Sequence, residues 1–344
     1  MTPDREYWRR RSEQVALMQY EKADRYAERL LKEYQRAIRR IERDIEAFYA
    51  RYAVENQVTM DEARRLLTAG ELREFRMTLE EFIEKAKNNV DGRWTRQLNA
   101  ASYKARISRL EALLIQIRQE VEVLLGNAHA GTQELLAGIY EDTYYRTVYE
   151  VQRGLGIGVS FAPLDRSTIE KAIMTPWLGE NYSERIWANR DKLVRELQTK
   201  LTQAFIRGEG VAQTAKDLAE RMQVSYSSAE RIVRTESSFV THQATWDGYK
   251  ASGVVEQYEY LATLDSRTSE ICRAMDGKVF RLSEKEVGVN YPPLHPNCRS
   301  TVVPYFDDED DPGERIARDA DGDVYYVPGN MTYREWLERY VEGR

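Results

Sequence analysis

The amino-acid sequence predicts a mainly α-helical protein that ends in a small module of mixed helix and short strands. Through residue 150, apolar side chains recur every three or four positions with charged side chains between them, which is the period of amphipathic helices. From Val254 onward, short alternating runs rich in β-forming residues replace that pattern. Charged residues make up 31% of the chain, a share that suits long solvent-exposed helices.

Changes in residue composition and pattern along the chain predict four segments. A glycine-rich stretch at residues 153–159 lacks the spacing of a phosphate-binding loop and is interpreted as a linker. The predicted segments are a long-helix α-helical arm at 1–152, a helical domain at 160–253, an α+β module at 254–306, and an acidic C-terminal tail with a short helix at 307–344.

Composition excludes several classes of protein. No run approaches the roughly 20 apolar residues of a membrane span, and the first residues lack the apolar core of a secretory signal. Two cysteines argue against a disulfide scaffold and favour a reducing compartment. Residues 307–344 carry 12 acidic and 5 basic side chains, so the rest of the chain is close to neutral. The chain therefore lacks the domain-wide excess of basic residues that would indicate nucleic-acid binding.

The first segment predicts one long helix over residues 3 to about 53. Its apolar stripe is narrow, so we expect it to pack along a single seam, either within the chain or against another subunit. The basic run at 9–11 is interpreted as a solvated helix face, with a DNA contact as the alternative. The apolar positions of the stripe are Tyr26, Leu30, Tyr34, Ile38, Ile41, Ile45, Phe48 and Tyr52.

Further helices follow in order. Capping-box patterns at 59–62 and 78–81 open a short helix and then a long helical region that reaches about residue 151. Breaks in that region are expected near Asn88–Asn89, at Asp91–Gly92 and at Gly126–Asn127.

The second half contains shorter elements. A short helix ends before Pro176, and Ser183 is predicted to cap a helix over 184–207. We expect separate helices over 211–222 and from Ser227 to Gly253. Strands are predicted at 257–263, 278–282, 300–304 and 324–327, with a short amphipathic helix over 332–343.

Cys272, His295 and Cys298 form the main candidate site, because the chain holds only two cysteines and three histidines. A turn containing Pro293 precedes a knuckle of His295-Pro-Asn-Cys298 that can aim two ligands at one point. Tetrahedral zinc needs four ligands, and Ser269 stands where a first cysteine would complete a Cys-x-x-Cys pair. A metal knuckle, a Cys272–Cys298 disulfide, two reduced core cysteines and a catalytic Cys–His pair therefore all stay open at this point. Asp265, Asp276 or water would have to supply a fourth ligand.

A second constellation is charged. Arg234 and Glu236 lie on a predicted helix, while Asp265 and Arg299 lie in the module. We interpret them as ion pairs that join the helical domain to the module, with an Arg/Glu transferase site as the alternative.

Taken together, these motifs resemble the C-terminal domain of the phage minor head protein family, also called head morphogenesis or Mu F-like proteins. The resemblance covers about residues 170–306. The positions that carry it, besides the Cys/His group, are Arg234, Thr235, Glu236, Asp265, Arg267, Thr268, Asp276, Gly277, Pro293 and Arg299.

The resemblance implies a non-enzymatic virion component of a tailed phage or prophage. Such a protein lies inside the head near the portal, is made in the host bacterial cytoplasm, and assists head assembly, DNA packaging or ejection. The implied partners are the portal protein, the major capsid or scaffold protein and phage DNA, with self-association through the N-terminal helices. Members often carry Cys-x-x-Cys before His-Pro-x-Cys, which implies zinc as a cofactor. The alternatives are a zinc-dependent or transferase-like enzyme and a DNA-binding module.

Overall fold

The computed structural model describes residues 5–55, 109–158, 161, 163–207, 209–306, 314–318, 323–328, 331 and 333–340. The helices are α1 Arg5–Glu55, α2 Arg109–Leu155, α3 Arg166–Ile173, α4 Tyr182–Arg207, α5 Val211–Ser252, α6 Glu270–Met275 and α7 Tyr333–Tyr340. The strands are β1 Gln257–Leu261, β2 Val279–Arg281, β3 Thr301–Tyr305, β4 Glu314–Arg318 and β5 Val324–Pro328.

The predicted fold class is confirmed, because long helices dominate and the strands are few, short and antiparallel. The helices predicted to open at 59 and 78, and the breaks near 88–92, lie outside the described residues. Among the residues that the structure describes, no helix has the length and apolar character needed to cross a membrane.

The chain divides into two compact units. One unit comprises Met1–Arg29, His129–Arg185 and Ala229–Arg344, and the other comprises Leu30–Ala128 and Ile186–Ser228. Each of α1, α2, α4 and α5 contributes residues to both units.

Helical segments build the second unit. Five positions of the apolar stripe predicted for α1 lie in this unit and are buried, namely Leu30, Tyr34, Ile41, Ile45 and Phe48, whereas Ile38 is half-buried. The Tyr34 hydroxyl lies 3.1 Å from the Ser225 hydroxyl of α5, and Arg40 pairs with Glu120 of α2. The seam of α1 is therefore used within the chain.

Two predicted helix boundaries are wrong. Gly126 lies inside the continuous helix α2, where buried neighbours such as Leu125 outweigh the cost of about 1 kcal/mol that an interior glycine carries. The helices predicted at 211–222 and from 227 are one helix of 42 residues, α5. Ser227 and Ser228 donate their hydroxyls to the carbonyls four residues earlier, so they sit within the helix and do not cap a new one.

The start of α4 also differs from the prediction. Asn181, not Ser183, caps this helix: its side-chain oxygen accepts the Glu184 amide at 3.1 Å, and the Glu184 carboxylate accepts the Asn181 amide at 2.8 Å. This is a reciprocal capping box. The Ser183 hydroxyl instead lies 2.8 Å from Nε2 of His129.

The first unit contains a three-stranded antiparallel sheet with the order β2-β1-β3. Its core joins the first helix to the sheet, since Trp8 of α1 packs in one cluster with Tyr258 of β1 and Val302 of β3. The central strand is buried along almost its whole length, including the carboxylate of Glu259.

The basic run at 9–11 is used internally, so neither the solvated-face nor the DNA interpretation holds for Arg9 and Arg11. Arg9 is 3% exposed and pairs with Glu259, to which Arg5 also binds. Arg11 pairs with Glu150 of α2. Charge pairing with partners far along the chain decided the role of this run.

The C-terminal tail folds onto the module. β4 was not predicted; it pairs with β5 in an antiparallel hairpin and forms a bridge between Ala317 and Leu264. Tyr333 and Trp336 of the predicted C-terminal helix are buried in the same cluster. The acidic run at 307–311 and the Asp-Gly turn before β5 lie outside the described residues.

Candidate functional site

Four side chains from two segments, helix α6 with its N-cap and the loop before β3, lie close together. Ser269 and Cys272 come from the first turn of α6, and His295 and Cys298 come from the loop before β3. The Sγ atoms of Cys272 and Cys298 are 3.7 Å apart, and Nε2 of His295 lies 3.2 Å from Sγ of Cys272 and 2.8 Å from Oγ of Ser269. The two cysteines are free thiols. The three predicted ligands are thus brought together, with Ser269 beside them.

Backbone geometry explains why the loop aims both ligands inward. The Pro292–Pro293 peptide is cis, and Asn297 has a φ of 61°, which turns the chain sharply between the histidine and the cysteine. The Cys298 amide donates to the His295 carbonyl at 3.2 Å, and the Asn297 amide donates to the Thr235 hydroxyl at 3.0 Å. Thr235 therefore fixes the loop to α5.

The tautomer of His295 follows from its partners. Its Nδ1 lies 2.8 Å from the Pro296 carbonyl oxygen, which can only accept, so Nδ1 carries the proton. In the neutral imidazole the lone pair is therefore on Nε2, which lies next to Ser269 and Cys272. This is the orientation that a metal-binding imidazole requires.

The surroundings favour negative charge on one sulfur. A hydrogen bond from the Cys272 thiol lowers the pKa of Cys298 to about 6, against the opposing effect of burial. The same bond raises the pKa of Cys272, which burial raises further. Tyr260 of β1, which is fully buried, donates its hydroxyl to Sγ of Cys272 at 3.2 Å and lies 3.9 Å from Sγ of Cys298. Burial raises the pKa of Tyr260, so it remains a donor.

The donor set fits zinc. Two sulfurs bound at 2.3 Å in a tetrahedral site lie about 3.8 Å apart, and a sulfur and an imidazole nitrogen lie about 3.6 Å apart. The Sγ–Sγ distance of 3.7 Å matches the first value, and the distance of 3.2 Å from Cys272 to His295 needs a small expansion. Asp265 and Asp276 do not belong to the group of donors.

The group opens onto a cleft of about 530 Å³. One wall is α1, where Glu13, Tyr20 and Asp24 line it, and the other is formed by the module. Ser269, Cys272, His295 and Cys298 all line this cleft, as do Arg267 and Arg299.

Asp265 organises the turn that leads into α6. Its carboxylate is buried and accepts the Arg267 amide at 2.9 Å, the Thr268 hydroxyl at 3.0 Å and a guanidinium nitrogen of Arg299. Tyr333 of α7 donates its hydroxyl to the Asp265 carbonyl at 2.9 Å. These family-motif positions therefore fix the loop that carries the Ser269 cap.

Asp276 and Gly277 close the other end of α6. The Asp276 carboxylate accepts the Ala262 amide at 2.9 Å and the Tyr333 amide at 3.1 Å, which ties β1 and α7 to this turn. Gly277 has a φ of 77°, a backbone conformation that favours glycine.

The expected ion pairs between the Arg234/Glu236 helix and the module do not form. Residues two apart on a helix point to opposite sides, so Arg234 pairs with Asp24 of α1 while Glu236 is buried against Arg185. The indole of Trp177 donates to the same carboxylate at 3.1 Å. Burial raises the pKa of Glu236, and the Arg185 charge opposes that effect.

A comparison with known protein families matches the part of the chain that contains the site. Residues 195–303 match the family described as Phage Mu protein F like protein. This range contains Thr235, Asp265 and the whole Cys/His group.

Two curated proteins are similar to the chain. It is 28% identical over 306 residues to "Minor head protein GP7" of Bacillus phage SPP1, a match that covers 82% of this chain and 94% of that protein. It is 24% identical over 218 residues to "NAD(+)--arginine ADP-ribosyltransferase EFV" of Enterococcus faecalis (strain ATCC 700802 / V583), covering 58% of this chain and 45% of that protein. No solved structure matches it.

Proposed function

We propose that this chain, a member of the phage head morphogenesis family through its Mu F-like domain, is a minor head protein of a tailed phage or prophage. The observation that carries this function is the similarity to the SPP1 minor head protein along most of both chains. That match extends well beyond the 195–303 domain, so it includes helices outside the motif region.

We further propose that the protein lies inside the head beside the portal, after synthesis in the host bacterial cytoplasm, and that it supports head assembly and the passage of DNA. Partners would be the portal protein, the major capsid or scaffold protein and the packaged DNA. The apolar stripe of α1 is buried within the chain, as Tyr34 and Ile41 illustrate. Self-association through the N-terminal helices would therefore use their polar faces.

The four sequence segments, at 1–152, 160–253, 254–306 and 307–344, are proposed as units of function. In this division the module at 254–306 carries the Cys/His group and the helical segments carry the partner contacts.

The experiment that tests the function is co-purification from assembling heads. A tagged chain is expressed from its own phage or prophage, and the host cells are broken open before the phage lyses them. The tagged chain is expected to co-purify with the portal protein from these extracts. The matched control is the same tag expressed without this chain from the same phage or prophage. Recovery of host metabolic proteins without any portal protein would contradict the proposal.

Loss of the gene separates assembly from DNA delivery. If the protein acts in assembly, its absence lowers the number of DNA-filled heads seen by electron microscopy. If it acts in ejection, filled heads form in normal number and infectivity falls. Normal heads with normal infectivity would refute both roles.

A non-enzymatic role is proposed, although the similarity to a transferase supplies a second candidate activity. Glu236, the acid of the Arg/Glu alternative, is buried and held by Arg185 and Trp177, so it offers no carboxylate to a substrate. We expect no transfer of labelled ADP-ribose from NAD⁺ to arginine-containing acceptors. Incorporation above a heat-inactivated control would overturn this expectation.

DNA binding is the remaining alternative. Arg9 and Arg11 are engaged in internal ion pairs, which removes the main basic run from DNA contact. A mobility-shift assay across salt concentrations tests this, because phosphate contacts give a steep loss of affinity with salt. A steep slope would support a DNA-binding function.

We propose that Cys272, His295 and Cys298 hold a zinc ion that stabilises the module. The support is the match of the Sγ–Sγ distance to tetrahedral zinc, and the position of Nε2 of His295 next to Sγ of Cys272. Bound zinc would cross-link α6 to the loop before β3. Metal analysis of purified protein and melting with and without chelator test this stabilising role.

A further inference from the structure

We propose that zinc at this cluster is bound by three protein ligands only, and that its fourth position takes a small ligand entering from the cleft. The expected ligand is water or a small anion that offers one oxygen or nitrogen atom. This inference rests on the zinc site proposed above. It concerns how the zinc site is changed by Ser269, which stands where a cysteine would complete a Cys-x-x-Cys pair.

The nearby carboxylates are committed elsewhere. Asp265 accepts bonds from Thr268 and Arg299, and Asp276 accepts the amides of Ala262 and Tyr333. Neither lies within the group of donor atoms, all of which are within 4.8 Å of one another. Of the acids that sequence reasoning offered as a fourth ligand, none is therefore available.

Ser269 does not replace the absent thiolate. Its hydroxyl caps α6 by accepting the Cys272 amide at 3.4 Å and lies 2.8 Å from Nε2 of His295. A neutral hydroxyl is a weaker zinc ligand than the thiolates and imidazoles of structural sites. Once zinc occupies the Nε2 lone pair, the hydroxyl is free to hydrogen-bond to whatever fills the fourth position.

Solvent reaches the site from one side. Cys272 and Cys298 are buried, and Tyr260 covers their inner face, but all three zinc ligands and Ser269 line the cleft of about 530 Å³. A structural zinc with four protein ligands is closed, whereas three protein ligands and an accessible cavity leave an exchangeable position. The cleft lining carries both signs of charge, with Arg234, Arg267 and Arg299 beside Glu13, Glu21 and Asp24, so the ligand is defined by the open metal position and not by the charge of the cleft.

Cobalt substitution tests the coordination directly. The full-length chain is reduced, stripped of metal and titrated with Co²⁺ without oxygen. We expect one equivalent to bind, with sulfur-to-cobalt charge-transfer absorption and the intense visible bands of tetrahedral cobalt. Addition of azide is expected to shift the visible bands, because azide replaces the exchangeable ligand.

Two substitutions at one position provide matched controls. Ser269→Cys supplies a fourth protein ligand, so its cobalt form should gain charge-transfer absorption and lose the azide-induced shift. Ser269→Ala should keep the azide-induced shift, because the hydroxyl is not a ligand. Loss of that shift in Ser269→Ala would overturn the role assigned to the serine.

The outcomes separate the two levels of inference. Cobalt uptake with visible bands that azide does not move would overturn the open position and leave the zinc site intact. No uptake by the native chain, with uptake by Ser269→Cys, would overturn metal binding in this chain while confirming that the fold can hold a metal. Portal co-purification does not depend on any of these results.

Discussion

Removal of one partner of the ion pair between Arg9 and Glu259 is expected to destabilise the first unit strongly, because the other partner stays buried. Glu259→Gln keeps the side-chain volume and removes the charge. Arg5 is 24% exposed and can turn its guanidinium to solvent, but Arg9 is 3% exposed and would stay buried after losing the charge of the carboxylate that it pairs with. Breaking a buried pair in this way costs about 3–5 kcal/mol, whereas an exposed pair is worth at most about 1 kcal/mol.

Urea-induced unfolding, followed by circular dichroism and tryptophan fluorescence, measures this cost. Trp8, one of six tryptophans, lies next to Arg9 in the sequence and is buried in a cluster with Tyr258 and Val302, so this region contributes to the fluorescence signal. The control is Glu256→Gln, which changes an exposed carboxylate three residues earlier. We expect the control to lie within about 0.5 kcal/mol of the native chain.

A double-mutant cycle distinguishes pairing from general damage to the core. Arg9→Met removes the buried charge and keeps much of the aliphatic stem, so the double variant should lose less than the sum of the two single losses. Coupling of about 0.5–3 kcal/mol is typical of residues in direct contact. If Glu259→Gln unfolds with the control, or if the two losses simply add, the reasoning from burial is wrong.

Three further predictions concern other parts of the fold. Gly154→Ala should lower the free energy of unfolding by about 1–3 kcal/mol, because the new Cβ would lie 2.3 Å from the ring of buried Trp8; Gly138→Ala, with open space, should raise it by up to about 1 kcal/mol in the same urea titration. Burial lowers the pKa of His242 to about 4, so the unfolded chain binds more protons between about pH 6.5 and 4. Stability should fall by about 3 kcal/mol as pH drops through that window, and His242→Asn should remove this share of the slope. Tyr333→Phe deletes the hydrogen bond to the Asp265 carbonyl and should cost about 1 kcal/mol, with amide exchange in α7 faster; unchanged exchange would contradict this docking.

Helical periodicity made the long helices predictable, and short alternating runs of β-forming residues predicted the position of the sheet. Leu30, Tyr34, Ile41 and Ile45 of the predicted stripe are buried as their spacing indicated, although Ile38 is only half-buried. The strands at 257–261 and 301–305 lie where alternation predicted them. Predicted helix boundaries were wrong where a side chain could form either of two hydrogen bonds. Ser227 suits a helix cap as well as it suits a bond to the preceding turn, and tertiary packing decided between them.

The site was only partly predictable. Because cysteine and histidine are scarce in the chain, the sequence predicted that Cys272, His295 and Cys298 form one site, and the structure places them in one group. Tyr260 was missed, because its role depends on the register of β1 against the neighbouring loop. Thr235 was known only as a motif position; that its hydroxyl accepts the Asn297 amide follows from tertiary structure and has no local signal.

β4 was missed for a compositional reason. Glu314-Arg-Ile-Ala-Arg318 has charges at three of five positions and follows an acidic run, so it lacks the alternation typical of a strand. Its pairing with β5 and its bridge to Leu264 supply what the local pattern does not.

The Arg9–Glu259 contact joins side chains 250 positions apart, and this separation has a consequence for biosynthesis. A ribosome adds about 5–20 residues per second, so Glu259 is made about 12–50 s after Arg9. Throughout that interval the indole of Trp8 and the guanidinium of Arg9 have no β1 to cover them. Nascent and prematurely terminated chains therefore present an uncovered aromatic and cationic end, and chaperones or early assembly partners meet this end before the finished sheet hides it.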